Sequence, residues 1–263
     1  MTAAPALDLP AVIGHRGAAA SAPENTLAGM RMAQQLGARW VEFDVRLSAD
    51  GRCIVLHDDS INRTSDGKGM AALLSFAALR ERDAGAWFGK SFAGERIPSF
   101  EEVIELLAAL GLGANVEIKP AAGQEEETAR VAVALLRQYW PRHLPAPLVS
   151  SFASAALAAS LEAAPEIARG YLFDRLPADW RLRAESLGCT TIHCNQRHLD
   201  PGTASTVIEA GFPLLAYTVN APMRARELLG WGLTSVFTDC PDRVIAVLVD
   251  GGKSSPTDTG IHT

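Results

Sequence analysis

The chain has 263 residues, of which 48% are hydrophobic and 21% charged, and its formal net charge is −6. This length and composition suffice for one large globular domain or two small ones. The acidic balance offers no basic surface for nucleic acid, so an anionic substrate must be attracted by local charges. No apolar segment approaches the roughly 18 to 20 residues that a membrane-spanning helix needs.

The N-terminal residues have neither the positive region nor the apolar stretch of a secretory signal, so we expect a cytoplasmic protein. The four cysteines lack a paired CxxC spacing, and this predicts reduced, mostly buried thiols rather than a disulfide or a zinc site. They are Cys53, Cys189, Cys194 and Cys240.

Short segments rich in β-branched residues alternate with longer segments rich in alanine and leucine. Eight strand–helix pairs within about 250 residues predict an α/β fold, a (β/α)8 TIM barrel, with a doubly wound open sheet as the alternative. The predicted strands span residues 11–15, 40–46, 114–118, 147–151, 168–172, 190–194, 213–218 and 234–238. The predicted helices lie near residues 24–37, 99–111, 124–139, 153–163, 178–187, 201–210, 221–230 and 241–249.

Two predicted helices have readable starts. Ser99 with Glu102 forms the pattern of a capping box, in which each residue satisfies a backbone N–H group of the other. Asp200 places a capping side chain directly before Pro201, which suits the first turn of a helix.

The alternation is interrupted after the second strand. Asp50-Gly51 predicts a hairpin turn, and residues 54–56 follow as a further short strand. Residues 58–98 carry many charged and turn-forming residues, with one short helix around 75–81. We therefore predict one barrel domain over residues 1–250 with a small insertion at 58–98, and a disordered tail over 251–263.

Three acidic residues stand late in neighbouring predicted strands, where barrel enzymes keep their active sites. Glu42 and Asp44 are two residues apart, so on an extended strand they face the same way. With Glu117 from the next strand, they would repel one another, and a divalent cation bound through oxygen would remove that repulsion. The alternative is a buried network of these carboxylates with basic side chains, those of Arg16, Arg46 or Lys119.

A series of short motifs resembles, in order and spacing, those of the glycerophosphodiester phosphodiesterases. Each motif is weak alone, but together they extend from about residue 11 to residue 245. They are His15-Arg16-Gly17, Pro23-Glu24-Asn25-Thr26, Glu42-x-Asp44, His57-Asp58, Asp83-Ala-Gly-Ala-Trp87-Phe88, Gly94-Glu95-Arg96-Ile97-Pro98, Glu117-Ile118-Lys119 and Tyr217-Thr218-Val219-Asn220.

The resemblance implies a TIM barrel with a small insertion over its mouth and an activity on small-molecule substrates. That activity is metal-dependent hydrolysis of a glycerophosphodiester, such as glycerophosphocholine or glycerophosphoethanolamine, to sn-glycerol 3-phosphate and an alcohol. One cation, Mg²⁺ or Ca²⁺, would be held by Glu42, Asp44 and Glu117. His15 and His57 would form the acid–base pair, because imidazole exchanges protons near neutral pH. Which histidine is the acid, and whether water or the substrate's 2-hydroxyl is the nucleophile, stays open.

Four further residues complete the predicted site. Arg16 and Lys119 have positive charges suited to phosphate oxygens, although they could instead balance the carboxylates. Phe152 and Tyr217 stand at strand ends and could form a wall against the alcohol half of the substrate. Because many members of the family have tryptophan at position 217, the preferred alcohol stays open.

Other residues near these motifs have weaker signals. Asp58 could orient His57, but adjacent side chains on a strand point in opposite directions, so a turn role is equally compatible. Asn25 is predicted mainly to support a helix start, with a contact to the site as the alternative. His193 is predicted to pack or to contact substrate rather than to bind metal. Trp87 is predicted either to cap the mouth or to pack within the insertion.

Two other functions stay open. One is a phospholipase-type phosphodiesterase that acts on lysophospholipid or phosphoinositide at a membrane. The other is a catalytically silent binding protein on the same barrel. The intact set of two histidines and three carboxylates argues against the silent protein, because loss of activity removes the need to keep all five.

Overall fold

The computed structural model describes residues 7–250, and within them the chain forms nine strands and nine α-helices. The predicted tail, 251–263, lies outside the described residues. Strands β1 to β9 are Val12–Gly14, Trp40–Leu47, Cys53–Val55, Gly113–Ile118, Leu148–Ser151, Ala168–Phe173, Thr191–Asn195, Leu214–Tyr217 and Ser235–Thr238. Helices α1 to α9 are Leu27–Gln35, Phe76–Arg80, Phe100–Leu110, Glu125–Tyr139, Ser154–Ala163, Trp180–Ser186, Pro201–Glu209, Pro222–Gly230 and Pro241–Asp250.

Eight of the strands form a closed parallel barrel. Its order is β1, β9, β8, β7, β6, β5, β4, β2, and β1 also pairs with β2, which completes the circle. Strand β3 lies outside this circle and pairs antiparallel with β2. The closed barrel confirms the predicted (β/α)8 fold and excludes the open sheet.

The two faces of β2 separate the packing layer from the barrel interior. All eight of its residues are buried. Phe43 packs against Phe100 of α3 with the ring centroids 5.7 Å apart, in the apolar layer between strands and helices. Glu42 and Asp44 face the interior, as the two-residue period of a strand requires. The apolar layer thus fixes the strand whose opposite face carries the carboxylates.

The two predicted helix starts are confirmed. The Ser99 hydroxyl accepts a hydrogen bond from the Glu102 N–H, and the Glu102 carboxylate accepts one from the Ser99 N–H, which completes the capping box before α3. The Asp200 carboxylate accepts a hydrogen bond from the Thr203 N–H at 2.7 Å, and Pro201 begins α7. Both caps follow from side chains close in sequence, which explains why the sequence predicts them.

Residues 58–98 fold around a small apolar cluster that includes Ile61, Leu79 and Ile97. The predicted short helix is α2, and β3 is the predicted extra strand. The Trp87 indole N–H donates to the Ala84 carbonyl at 2.9 Å, and its ring packs edge-on against a neighbouring phenylalanine within this segment. Of the two alternatives for Trp87, the described residues favour packing within the insertion.

The four cysteines are buried and free, in agreement with the predicted thiols. Within the described range 7–250, every helix is too short or too polar to cross a bilayer.

Candidate active site

The carboxyl ends of the barrel strands surround a pocket of about 190 Å³ that opens to solvent. Asp44 lies just beneath its surface, with a carboxylate oxygen within 4.8 Å of oxygens of Glu42 and Glu117. The barrel therefore brings together all nine side chains that the sequence nominated. The eight that line the pocket are His15, Arg16, Glu42, His57, Glu117, Lys119, Phe152 and Tyr217.

A strained turn after β1 presents His15 and Arg16 to the pocket. Arg16 has a φ of 51°, in the left-handed region that non-glycine residues adopt rarely. Its backbone N–H donates to Glu42 Oε2 at 3.0 Å, so a site carboxylate holds this conformation. At Gly17, which follows with a φ of 88°, a Cβ atom would lie 2.5 Å from the carbonyl carbon of Gly29. The close approach of α1 therefore requires glycine in the His-Arg-Gly motif.

Glu42, Asp44 and Glu117 have the chemistry of a site for a hard divalent cation. Among residues 7–250, Glu42 Oε1 and Asp44 Oδ1 are buried and accept no hydrogen bond. Buried polar atoms are usually paired, so a Glu42 oxygen without a partner, near an Asp44 oxygen whose cationic neighbour is Lys119 Nζ at 3.4 Å, indicates a place for a further electropositive partner. Oxygen ligands of this kind are those that Mg²⁺ and Ca²⁺ prefer. The donor set therefore fits one divalent cation.

The three carboxylates differ in how readily they ionise. Burial and the negative charge of Asp44 raise the pKa of Glu42 well above its usual range. The same two causes raise the pKa of Glu117 to about 7. Burial by itself would raise the pKa of Asp44 too, but the charges of Lys119 and Arg16 outweigh it and lower this pKa to about 2. Asp44 is thus the carboxylate that stays ionised, and its neighbours resist ionisation.

The raised pKa of Glu117 makes the folding stability of the protein depend on pH. The pKa of Glu117 in the folded protein lies above its ordinary value of 4.5. Its protonated form therefore stabilises the fold at low pH, and that contribution is lost as the pH rises through about 7. In the absence of a cation, ionisation of these carboxylates works against folding.

Asn25 reaches the site, which was the less favoured alternative from sequence. It has a φ of 56°, and this conformation turns its amide toward Asp44. Asn25 Nδ2 donates to Asp44 Oδ2 at 2.8 Å, and the Asp44 N–H donates back to Asn25 Oδ1 at 3.2 Å. The helix-start role falls to Thr26, whose hydroxyl accepts from the Gly29 N–H at 3.1 Å. The pair of hydrogen bonds fixes which oxygen of Asp44 stays free.

Asp58 contacts His57 directly, which agrees with the first of the two alternatives that the sequence left open for it. Strand β3 ends at Val55, and both residues lie in the bend that follows, where the alternation of a strand no longer applies. Asp58 Oδ1 lies 2.7 Å from His57 Nδ1. Arg46 Nη2 donates to the His57 carbonyl at 2.8 Å, and this hydrogen bond holds the backbone of the bend in place. Arg46 therefore supports the loop rather than the carboxylate cluster.

The His57 ring stands between Asp58 and Lys119. Lys119 Nζ lies 2.6 Å from His57 Nε2, 3.1 Å from Glu117 Oε1 and 3.4 Å from Asp44 Oδ1. Burial lowers the pKa of His57, and the neighbouring cations Arg16 and Lys119 add to this effect, against the opposing charge of Asp44. A neutral imidazole that donates from Nδ1 to Asp58 and accepts at Nε2 from Lys119 satisfies both contacts.

His15 has a carboxylate partner of its own in Asp239, directly after β9. Asp239 Oδ1 lies 2.6 Å from His15 Nδ1, and the Asp239 N–H donates to Asn220 Oδ1 at 2.8 Å. His15 Nε2 faces the pocket, 3.8 Å from Glu42 Oε2. Both histidines are therefore oriented through Nδ1 by a carboxylate. Sequence reasoning missed this role of Asp239, although an acidic residue directly after the last strand was a usable signal.

A chain of ion pairs joins the two histidine loops at the pocket mouth. Glu24 accepts from Arg16 Nη1 at 2.8 Å and from Arg63 Nη1 at 2.7 Å. Arg63 Nε donates in turn to Asp58 at 2.7 Å. Arg63 belongs to the insertion, so it ties this segment to both the arginine and the histidine of the site. No local sequence signal pairs residues 24 and 63, which are 39 positions apart.

Phe152 and Tyr217 form an aromatic rim. Their rings pack edge-on with centroids 5.8 Å apart, and 46% of Phe152 is exposed. The Tyr217 hydroxyl donates to the Phe173 carbonyl at 2.9 Å, so it is already paired, and the ring is what lines the pocket. The rim adds an apolar surface to the pocket, and the exposed Phe152 ring places part of it in contact with solvent.

Comparison with known proteins identifies the family. The sequence model of the Glycerophosphoryl diester phosphodiesterase family matches residues 15–243. A glycerophosphodiester phosphodiesterase of Caldanaerobacter subterraneus subsp. tengcongensis is 30% identical over 242 residues, which cover 92% of this chain and 98% of the relative.

Solved structures agree with this result. An Oleispira antarctica phosphodiesterase in complex with the product sn-glycerol-3-phosphate is 42% identical, with a TM-score of 0.90 and coverage of 92% of this chain and 97% of its own. A glycerophosphodiester phosphodiesterase of Agrobacterium tumefaciens is 27% identical, with a TM-score of 0.77 and coverage of 90% and 100%. The chain belongs to the glycerophosphoryl diester phosphodiesterase family and is a phosphoric diester hydrolase.

Proposed function

We propose that the protein hydrolyses small glycerophosphodiesters, such as glycerophosphocholine and glycerophosphoethanolamine, to sn-glycerol 3-phosphate and an alcohol, with the aid of one Mg²⁺ or Ca²⁺ ion. The observation that carries this proposal is the pair of buried oxygens on Glu42 and Asp44 that accept no hydrogen bond from the described residues, beside a pocket that also holds two carboxylate-oriented histidines. The sn-glycerol-3-phosphate in the complex of the Oleispira antarctica relative supports the same product.

Glu42, Asp44 and Glu117 would hold the cation. When bound, a divalent cation polarises phosphate oxygens and stabilises the negative charge of the transition state. Glu42 and Asp44 each accept a hydrogen bond at one oxygen, from the Arg16 N–H and from Asn25, while the other oxygen accepts none among the described residues and would bind the cation. Lys119 Nζ, 3.4 Å from that oxygen of Asp44, would share it with the cation.

Arg16 and Lys119 would bind the phosphate group. Arg16 Nε is buried 3.6 Å from Asp44 Oδ2 and donates no hydrogen bond among the described residues, so its N–H could be given to a phosphate oxygen. The opposing carboxylates of Asp44 and Glu24 raise the pKa of Arg16, although burial acts against them, and the side chain stays charged. Lys119 is likewise charged, because Asp44 and Glu117 outweigh the effect of burial and raise its pKa. Charge-assisted hydrogen bonds to phosphate are among the strongest in proteins.

The two histidines would divide the proton transfers. Burial and the cations beside it keep His57 neutral. Its Nε2 accepts from Lys119 Nζ, so Lys119 would have to move onto the phosphate before this nitrogen could remove the proton of the attacking hydroxyl or water. His15, with Nδ1 on Asp239 and Nε2 toward the pocket, would then deliver a proton to the departing alkoxide. The carboxylate on each Nδ1 stabilises the imidazolium ion that forms when the ring is protonated.

The first test is release of sn-glycerol 3-phosphate from glycerophosphocholine by enzyme stripped with EDTA. We expect release to return when Mg²⁺ or Ca²⁺ is added, and Glu117→Gln to stay inactive at cation concentrations that saturate the wild type. Activity on lysophosphatidylcholine vesicles but not on glycerophosphocholine would favour the phospholipase alternative. Ligand binding with no turnover of either substrate would favour a silent protein.

The histidine assignment predicts different responses to the leaving group. On glycerophosphocholine, His15→Ala and His57→Ala should each lower kcat by about 10²- to 10⁴-fold, the usual contribution of acid–base catalysis. A para-nitrophenyl ester of glycerol 3-phosphate has a leaving group that needs no proton. We expect this ester to restore most of the rate of His15→Ala but not that of His57→Ala. Equal restoration of both variants would contradict the assignment.

The chain of ion pairs through Arg63 predicts an effect on kcat rather than on folding. Arg63→Gln should loosen both Asp58 and Glu24, and a misplaced His57 should lower kcat by about 10- to 100-fold. The unfolding midpoint should change little, because water screens exposed ion pairs.

Arg130→Gln is the matched control for this experiment. Arg130 is similarly exposed and also pairs with two carboxylates, at 3.0 Å and 3.3 Å, but on the outer helices. It should leave kcat unchanged. Wild-type kcat in Arg63→Gln, or equal losses in both variants, would show that the ion pairs do not position the site.

A further inference from the structure

The floor of the pocket is polar, although the interior of this fold is usually filled by branched apolar side chains. Asn115 of β4 and Ser150 of β5 are buried there, and so are Thr191 and His193 of β7, none of them more than 1% exposed. Burying polar groups destabilises a protein unless they are hydrogen-bonded. A polar floor therefore suggests a purpose other than packing.

Two atoms of this floor have no hydrogen-bond partner among the described residues, Asn115 Oδ1 and His193 Nδ1. The other polar atom of each side chain is paired. Asn115 Nδ2 donates to Ser150 Oγ at 3.0 Å, and His193 Nε2 shares a hydrogen bond with Thr191 Oγ1 at 2.9 Å. These bonds hold each side chain in place and leave one atom free. Both residues line the pocket, so these two buried atoms lie at its wall without a protein partner.

The floor suits a neutral ligand. Burial lowers the pKa of His193 to about 3, so the ring is uncharged at neutral pH. The Phe237 ring lies beside it, with the centroids 5.3 Å apart. Gly170 of β6 leaves the space that the imidazole occupies, since a Cβ atom there would lie 2.5 Å from His193 Nε2. A phosphate would find its positive partners among Arg16 and Lys119 rather than here.

We propose that Asn115 and His193 form a subsite for the free terminal hydroxyl of the glycerol half of the substrate. Asn115 Oδ1 accepts a hydrogen bond, and His193 Nδ1 donates or accepts according to the tautomer that its bond to Thr191 selects. A hydroxyl can serve both kinds of partner. The identity of the ligand rests on the proposed function, whereas the polar floor and its free atoms do not.

This arrangement would orient the substrate within the pocket. The neutral floor takes the glycerol end and the charged middle takes the phosphate. The departing alcohol then lies toward the open rim at Phe152, where nearly half of the side chain is exposed. The enzyme would accordingly be selective for the glycerol half and tolerant of the alcohol that leaves.

The test compares glycerophosphocholine with an analogue of the same configuration that lacks only the terminal hydroxyl, 2-hydroxypropyl phosphocholine. We expect kcat/KM of the wild type to favour glycerophosphocholine by about 10- to 100-fold, because the analogue leaves buried polar atoms unpaired. His193→Phe and Asn115→Leu should each reduce this preference about 10-fold by slowing glycerophosphocholine alone.

Control variants separate this role from packing. Thr191→Val and Ser150→Ala keep the two free atoms but remove the bonds that hold them, so they should lower the unfolding midpoint and reduce the preference less than His193→Phe and Asn115→Leu do. His193→Gln keeps a polar group and should retain part of the preference, which provides a second variant if His193→Phe does not fold. Equal losses on both substrates in the floor variants would overturn the proposal.

Binding measurements separate failure of this inference from failure of the proposed function. Calorimetry with sn-glycerol 3-phosphate and with 2-hydroxypropyl phosphate needs no turnover. We expect the wild type to bind the glycerol compound more tightly by a similar factor, and His193→Phe to remove the difference. Equal affinities in the wild type would overturn the subsite, whereas absence of diester hydrolysis with this difference intact would overturn only the proposed reaction.

Discussion

The site depends on the mutual repulsion of three buried carboxylates. Glu42 and Asp44 share one face of β2, and the parallel register of β2 with β4 sets Asp44 directly opposite Glu117. The three groups cannot separate without breaking the ladder between these strands, while the apolar layer outside the barrel fixes both strands in place. The stability of the barrel therefore keeps negative charges together that would otherwise move apart.

The ionisation of the three carboxylates depends on the basic side chains around them. Lys119 and Arg16 keep Asp44 ionised, but burial and Asp44 itself raise the pKa values of Glu42 and Glu117, so two cationic side chains do not balance the cluster. A divalent cation would supply the remaining positive charge. Each histidine has a carboxylate partner of its own at Nδ1, which directs Nε2 toward the cluster, where His15 faces Glu42 and His57 contacts Lys119. The neutral floor below carries no charge that would compete with this arrangement for phosphate.

The sequence predicts the parts of the site that depend on strand periodicity and on parallel strand ends. Glu42 and Asp44 follow from the two-residue period, and His15 and Lys119 follow because parallel strands end at one edge. It does not predict contacts that depend on where a strand stops or on left-handed backbone, as at Asp58 and Asn25. Pairs between distant loops, such as Arg63 with Glu24, leave no local pattern, and the free atoms of Asn115 and His193 emerge only when the barrel is closed.

Urea unfolding of the wild type and Glu42→Gln at pH 8, in EDTA and with Mg²⁺ or Ca²⁺, tests the central claim most directly. In EDTA, Glu42→Gln should unfold at a higher urea concentration than the wild type, because the neutral amide relieves the repulsion. With cation, the wild-type midpoint should rise and that of the variant should change little, so that the difference between them shrinks or reverses. The account would be contradicted if neither cation shifted the wild-type midpoint and if the wild type unfolded at a higher urea concentration than Glu42→Gln in EDTA. That result would show that Arg16 and Lys119 alone neutralise the carboxylates.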